Sequence, residues 1–180
     1  MRMNKTAVTT REIEASEIPS GIKITIPTGS AVSITQSLGG SYTVMTGNGY
    51  MARIEGRDAD AIGEEVATLD AAATAGKTTE ELAWDQLKTC YDPEIPVNIV
   101  DLGLVYKCEV KPMPEGGDKA EVQFTLTAPG CGMGDVLKDD VKNKLLAVPG
   151  IKEADVQVIF DPPWSMGMMS EAAKLQLGIL

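Results

Sequence analysis

Histidine does not occur anywhere in this 180-residue chain. Its absence removes every Ser-His-Asp or Cys-His nucleophile pair, every His-ligated zinc site, and any general base whose unperturbed pKa lies near neutrality. Most hydrolase templates are excluded on that ground. Cysteine is scarce: Cys90, Cys108 and Cys131 are an odd number without CxxC spacing, and no leading basic-plus-apolar segment resembles a signal peptide. The expectation is a reducing, cytoplasmic setting. Long apolar runs are also missing, because Gly, Asp, Glu or Lys interrupts every stretch well short of the ~18 residues that a membrane span needs. A soluble protein with no membrane association is expected. Basic charge is short too: 16 Lys and Arg stand against 26 Asp and Glu, a net charge of -10. Phosphate backbones would be repelled, so no nucleic-acid partner is expected. What is present is an ordinary globular mixture, 43% hydrophobic and 23% charged, enough to bury one core or one core plus a small appendage.

The pattern changes near residue 70. From Arg11 to about Gly63, short β-prone runs (Ile22–Ile26, Ala31–Thr35, Tyr42–Met45, Tyr50–Ile54) alternate with glycine turns such as Leu38-Gly39-Gly40 and Gly47-Asn48-Gly49. So few apolar residues need a closed or curled sheet to protect its edges, which predicts a small all-β, barrel-like domain over residues 1–65. Residues 66–77, rich in Ala with scattered Thr and Gly, read as a linker.

Residues 78–180 predict a two-layer α/β sandwich in the order helix, strand, strand, helix, strand, helix, giving an α+β protein overall. Thr78-Thr79-Glu80-Glu81 is a capping-box sequence, with Ala83, Leu87 and Cys90 on one stripe behind it. Leu104 to Lys111 alternates, placing Leu104, Tyr106, Cys108 and Val110 on one face, and Glu115-Gly116-Gly117-Asp118 supplies a hairpin turn. The returning strand sends Ala120, Val122, Phe124 and Leu126 inward and Glu121, Gln123 and Thr125 outward. A helix then carries Met133, Leu137, Val141, Leu145 and Val148, and a third strand carries Ala154, Val156, Val158 and Phe160 on one face. Ser170 caps a final helix.

Two phosphate-site motifs are decoys. Gly76-Lys77-Thr78 resembles the end of a P-loop, but Ala71 stands where its first Gly belongs. Gly47-Asn48-Gly49-Tyr50-Met51-Ala52 fits a loose dinucleotide pattern, yet a β-patterned run follows it, so Asn48-Gly49 reads as a hairpin turn.

The thiols are more informative. Packing accounts for Cys90 and Cys108 as small hydrophobes. Cys131 has no such account: it sits between Pro129-Gly130 and Gly132, ahead of the Met133 helix, whose amides and dipole favour a thiolate. The dipole alone contributes only about 0.3–1 kcal/mol, and Asp135 opposes it, so strong activation needs further amide bonds, a metal or a partner. A Gly-rich turn in which Cys merely fits is the competing reading. Asp92 and Asp161 each precede proline and leave a regular element; if the third strand pairs beside the second, Asp161 emerges at the Cys131 edge. The plain alternative is that both carboxylates bond local amides in turns.

Asp92-Pro93-Glu94-Ile95-Pro96, Ile99 to Tyr106, Thr127-Ala128-Pro129-Gly130-Cys131, Asp161-Pro162-Pro163-Trp164 and Met169 to Ala173 together resemble the MIP18-like domain of iron-sulfur cluster assembly factors. The resemblance covers about residues 78 to 180. Members of the family often have Pro after the cysteine, where this chain has Gly132. The resemblance implies an accessory role in cluster maturation of the SUF type rather than an enzyme. It implies Cys131 as the functional thiol and transient metal ligand, with Asp92, Glu94, Asp101, Thr127, Gly130, Asp161 and Trp164 as its motif neighbours. Implied partners are SUF-type assembly proteins and recipient apo iron-sulfur proteins.

A cluster usually takes four thiolates, so a monomer with two packed cysteines is not expected to hold one stably. Iron or cluster would bind transiently, or bridge a homodimer through two copies of Cys131. Two alternatives stay open: an accessory for assembling a metal-containing ring-hydroxylating oxygenase, and a protein-protein adaptor in which Cys131 is structural.

Overall fold

Short runs set between glycine turns build the first part of the chain. In the computed structural model, which describes residues 4–66, 69, 71–92, 95–128 and 132–179, they form β1 (Lys5–Val8), β2 (Ile13–Ile18), β3 (Lys23–Ile26), β4 (Ala31–Leu38), β5 (Ser41–Thr46) and β6 (Met51–Ile54). All pair antiparallel in the order β1-β4-β5-β6-β2-β3. Alternation puts Ile13, Ile26, Val32, Val44 and Ile54 into one core, which a 3-10 turn, Gly56–Ile62, completes with Ala59, Ala61 and Ile62. Asn48-Gly49 is the β5–β6 hairpin turn: Gly49 takes a positive φ of 85°, and its N–H donates to the Thr46 carbonyl at 3.0 Å. The sequence pattern misses β1 and β2. In β1 only Ala7 is more than marginally covered, so no apolar face announces the strand.

The chain divides into two compact units, Met1–Thr68 and Leu69–Leu180. The second begins with a single helical turn, α1 (Ala71–Thr74), inside the stretch read as linker. Next comes α2 (Thr79–Leu87), which starts on the expected capping box: Glu81 N–H donates to Thr78 Oγ1 at 3.2 Å, and Thr78 N–H donates to Glu81 Oε2 at 2.7 Å. The P-loop-like Lys77-Thr78 is thus a helix entry. The hairpin β7 (Val105–Pro112) and β8 (Asp118–Phe124) follows, then α3 (Gly134–Leu146), β9 (Ile151–Val158) and α4 (Glu171–Gln176). β7 is antiparallel to β8, and β9 is parallel to β8 with α3 as the crossover. Met133, Leu137, Val141, Leu145 and Val148 are all buried, so the α3 stripe covers the sheet as expected. Lys144 on α3 pairs with Asp140 one turn earlier and donates to the Thr89 carbonyl just beyond α2.

Three side chains depart from the alternation. Thr125, expected outward, is only 1% exposed: ladder pairing stops at Phe124, and the Thr125 N–H turns to donate to the Leu104 carbonyl at 2.8 Å. Phe160, expected inward, is 48% exposed because β9 ends at Val158. Tyr106, expected to share a face with Cys108, is displaced by a bulge between Val105 and Lys107: Val105 opposes Phe124, Lys107 opposes Gln123, and Tyr106 is the extra residue.

The bulge frees Tyr106 to meet the segment after β9. Its hydroxyl donates to the Pro162 carbonyl at 2.8 Å, and its oxygen lies 3.7 Å from Met168 Sδ. Trp164 Nε1–H donates to the Leu102 carbonyl at 2.7 Å, and Ser170 N–H donates to the Asp101 carbonyl at 2.8 Å. Gly103, at φ +76°, lies so close that a Cβ there would sit 2.2 Å from the Met168 carbonyl oxygen. A strap, residues 161–170, is therefore stitched onto the turn at 98–106. Ser170 then caps α4, accepting from Ala173 N–H at 3.1 Å.

Cys90 and Cys108 are both buried. Burial, helped by the nearby carboxylates of Glu80 and Glu109, pushes the Cys108 thiol up from an ordinary value of 9.0 to about 11.

Two outcomes are expected. Gly103→Ala combines a positive φ with a backbone clash and should cost more than about 2 kcal/mol, read as a fall in denaturation midpoint. The Cys108 thiol, raised in the folded state, supports stability below its unfolded pKa and loses that support as pH rises from about 9 towards 11. The stability gap between the wild-type protein and Cys108→Ala should therefore narrow over that interval, as denaturant titrations at stepped pH would show.

Candidate functional site

The parallel pairing of β8 with β9 sets the site. Phe124 lies opposite Val158, and Ile159 N–H donates to the Phe124 carbonyl at 2.9 Å. Thr127 and Asp161, each three residues beyond that pair, leave from the same sheet edge. Thr127 is half-buried, whereas Asp161 is exposed. The chain re-enters the described structure at Gly132, and Met133 begins α3 without a side-chain cap bond. Pro129, Gly130 and Cys131, with Pro93 and Glu94, lie outside the described residues, so the expectations placed on Glu94, Gly130 and Cys131 do too.

The other motif carboxylates have local surroundings. Asp92 is buried, 5% exposed, immediately after the isolated bridge between Tyr91 and Asn98. Asn98 organises the next turn: its Oδ1 accepts from the N–H groups of Val100 and Asp101, at 3.1 and 3.0 Å, and its Nδ2 donates to Asp101 Oδ2 at 2.7 Å. Asp101 thus uses its side chain on Asn98 and its carbonyl on Ser170. Trp164 is half-buried against the core, with its indole N–H satisfied by Leu102.

Between the turn and the strap lies an open groove, lined by Gly103, Val105, Tyr106, Gln123, Ile159, Asp161, Pro162 and Met168. Gly103 contributes no side chain, the bulged Tyr106 forms a wall locked to Pro162, and Asp161 supplies the one carboxylate. No ion pair holds Asp161 among the described residues. On the neighbouring strands the charges neutralise each other: Lys111 lies 3.1 Å from Glu121 and 3.3 Å from Glu109, which lowers both carboxyls below their ordinary range and raises the Lys111 ammonium. Sequence reasoning missed Gly103, Tyr106, Gln123 and Met168 as site-lining residues. Gly103 and Tyr106 stand inside a motif, yet only the bulge register reveals which way Tyr106 turns.

Among the described residues, no three acidic or thiol side chains converge to hold a metal ion. Cys90 and Cys108 do not offer ligands as they stand, being buried in the core and, at Cys108, held protonated.

Residues 80–158, wholly within the second unit, match the family model described as iron-sulfur cluster assembly protein. An Fe-S protein maturation auxiliary factor of Porphyromonas gingivalis is 46% identical over 103 residues, spanning 57% of this chain and 93% of the relative. The Fe-S protein maturation auxiliary factor SufT of Staphylococcus aureus is 44% identical over 88 residues, 49% of this chain and 96% of the relative. The Fe-S protein maturation auxiliary factor YitW of Bacillus subtilis is 40% identical over 93 residues, 52% of this chain and 87% of the relative. Matches of this identity over nearly the whole length of each relative go with the motif order and the two-layer fold, and the chain belongs to the family of iron-sulfur cluster assembly proteins with a MIP18-like domain.

Proposed function

We propose that this protein is an accessory factor in the maturation of iron-sulfur proteins, with Cys131 as the thiol that takes up iron, sulfur or a cluster transiently or engages a partner. The observation that carries the reading is the near full-length match to named maturation auxiliary factors. The burial of Cys90 and Cys108 adds support, since it takes two of the three cysteines of the chain into the core. The thiolate would act as an electron-pair donor to iron and not as a catalytic nucleophile. Partners in this reading are SUF-type assembly proteins and recipient apo-proteins. One thiol per chain suits delivery and release rather than storage, and two copies in a homodimer would give the pair that a bridged cluster needs.

In this proposal residues 78–180 are the assembly domain, 66–77 the linker and 1–65 an accessory β-rich domain of separate stability. A fragment of residues 78–180 should unfold in one cooperative transition; a broad, non-cooperative melt would show that its core needs more of the chain.

A limiting thiol reagent on the folded protein should label Cys131 first. Cys131→Ser should abolish support of iron-sulfur enzymes in cells while shifting the melting temperature little, because this reading gives Cys131 no part in core packing. Anaerobic purification with iron, sulfide and mass analysis distinguishes carrier from adaptor. Full enzyme activity in a strain carrying only the Cys131→Ser protein, where deleting the gene causes a defect, overturns the thiol mechanism.

A further inference from the structure

The groove between the turn and the strap has a chemical character of its own. Its walls are apolar: the Tyr106 ring, Pro162, Ile159 and Met168. Met168 is 39% exposed, and Met166 on the same strap is 56% exposed, as is much of Phe160 beside it. Exposed unbranched thioethers make adaptable contacts with partners of differing shape. Into this apolar surface projects one carboxylate, Asp161, with no ion pair among the described residues, and one amide, Gln123. The nearby lysines are occupied, since Lys107 and Lys111 both face Glu109 and Glu121. The whole chain carries a net charge of -10, so the surrounding potential also favours a cation.

We propose that this groove docks a partner protein through an exposed segment that presents an arginine or lysine flanked by apolar side chains. The cation would meet Asp161, and the flanking groups would lie on Met168, Ile159 and Pro162. An acidic segment would be repelled by the same carboxylate, so the site discriminates as well as attracts. The groove lies at the sheet edge from which Thr127 also leaves. The inference does not rest on any chemistry of Cys131.

The test uses the full chain and three blocked tripeptides with leucine at both ends and arginine, glutamate or glutamine in the middle. On titration to millimolar concentration, the arginine peptide should shift the ε-methyl resonance of Met168 and the side-chain amide of Gln123. The glutamate peptide should not. Asp161→Asn should weaken the arginine peptide about two- to fivefold, the range of an exposed ion pair, and added salt should do the same. Met168→Ser, at an exposed position, tests the apolar wall should Asp161→Asn disturb the backbone amide spectrum, and it too should weaken binding. Cys131→Ser should bind as the wild type does, which separates failure of this proposal from failure of the thiol mechanism. Equal shifts with the glutamate peptide, shifts confined to other surfaces, no shift at millimolar peptide, or unchanged binding in both groove variants would overturn it.

Discussion

The strap at 161–170 is held by groups that have few other places to go, and the site inherits its shape from that constraint. The Trp164 indole is half-buried against the core, and an unpaired N–H there would cost free energy; the Leu102 carbonyl satisfies it. That bond brings the backbone so near that only glycine fits at 103. The same approach lets Ser170 N–H reach the Asp101 carbonyl, and Asn98 fixes the Asp101 carboxylate. Motifs that lie about 60 residues apart in sequence are therefore halves of one hydrogen-bonded unit.

Much of the fold was legible because burial imposed strict periods on the chain. The α3 stripe, the Thr78 capping box and the inward row Ala120, Val122 and Phe124 are local patterns with one physical reading each. Failures came where a regular element stops. Thr125 and Phe160 continue an alternation in sequence after the ladder that enforces it has ended, so their side chains follow the turning backbone instead. Tyr106 failed for a related reason, since one inserted residue reverses the side-chain direction without changing the apolar pattern. β1 was invisible because a short edge strand with little buried surface carries no alternation to detect.

The candidate site was legible only in part, and again the reasons are physical. The expectation that Asp161 emerges at the Cys131 edge hung on the third strand pairing beside the second; the parallel β8–β9 ladder meets that condition, and Cys131 itself lies outside the described residues. Asp101 could be marked as a motif residue, but its engagement with Asn98 and Ser170 depends on tertiary contacts. The groove was not legible at all. It exists because Gly103 lacks a side chain where the strap passes and because the bulge turns Tyr106 towards Pro162.

Solvation decides which form a buried thiol takes. A thiolate is the form that binds iron or attacks sulfur, and burial disfavours that form. Cys108 shows the effect directly, with its thiol pushed to about 11 between core packing and the carboxylates of Glu80 and Glu109. An acidic chain adds to this penalty wherever a thiol lies near its own carboxylates, so it pays a general tax on thiolate formation that only local donors or an approaching cation can offset.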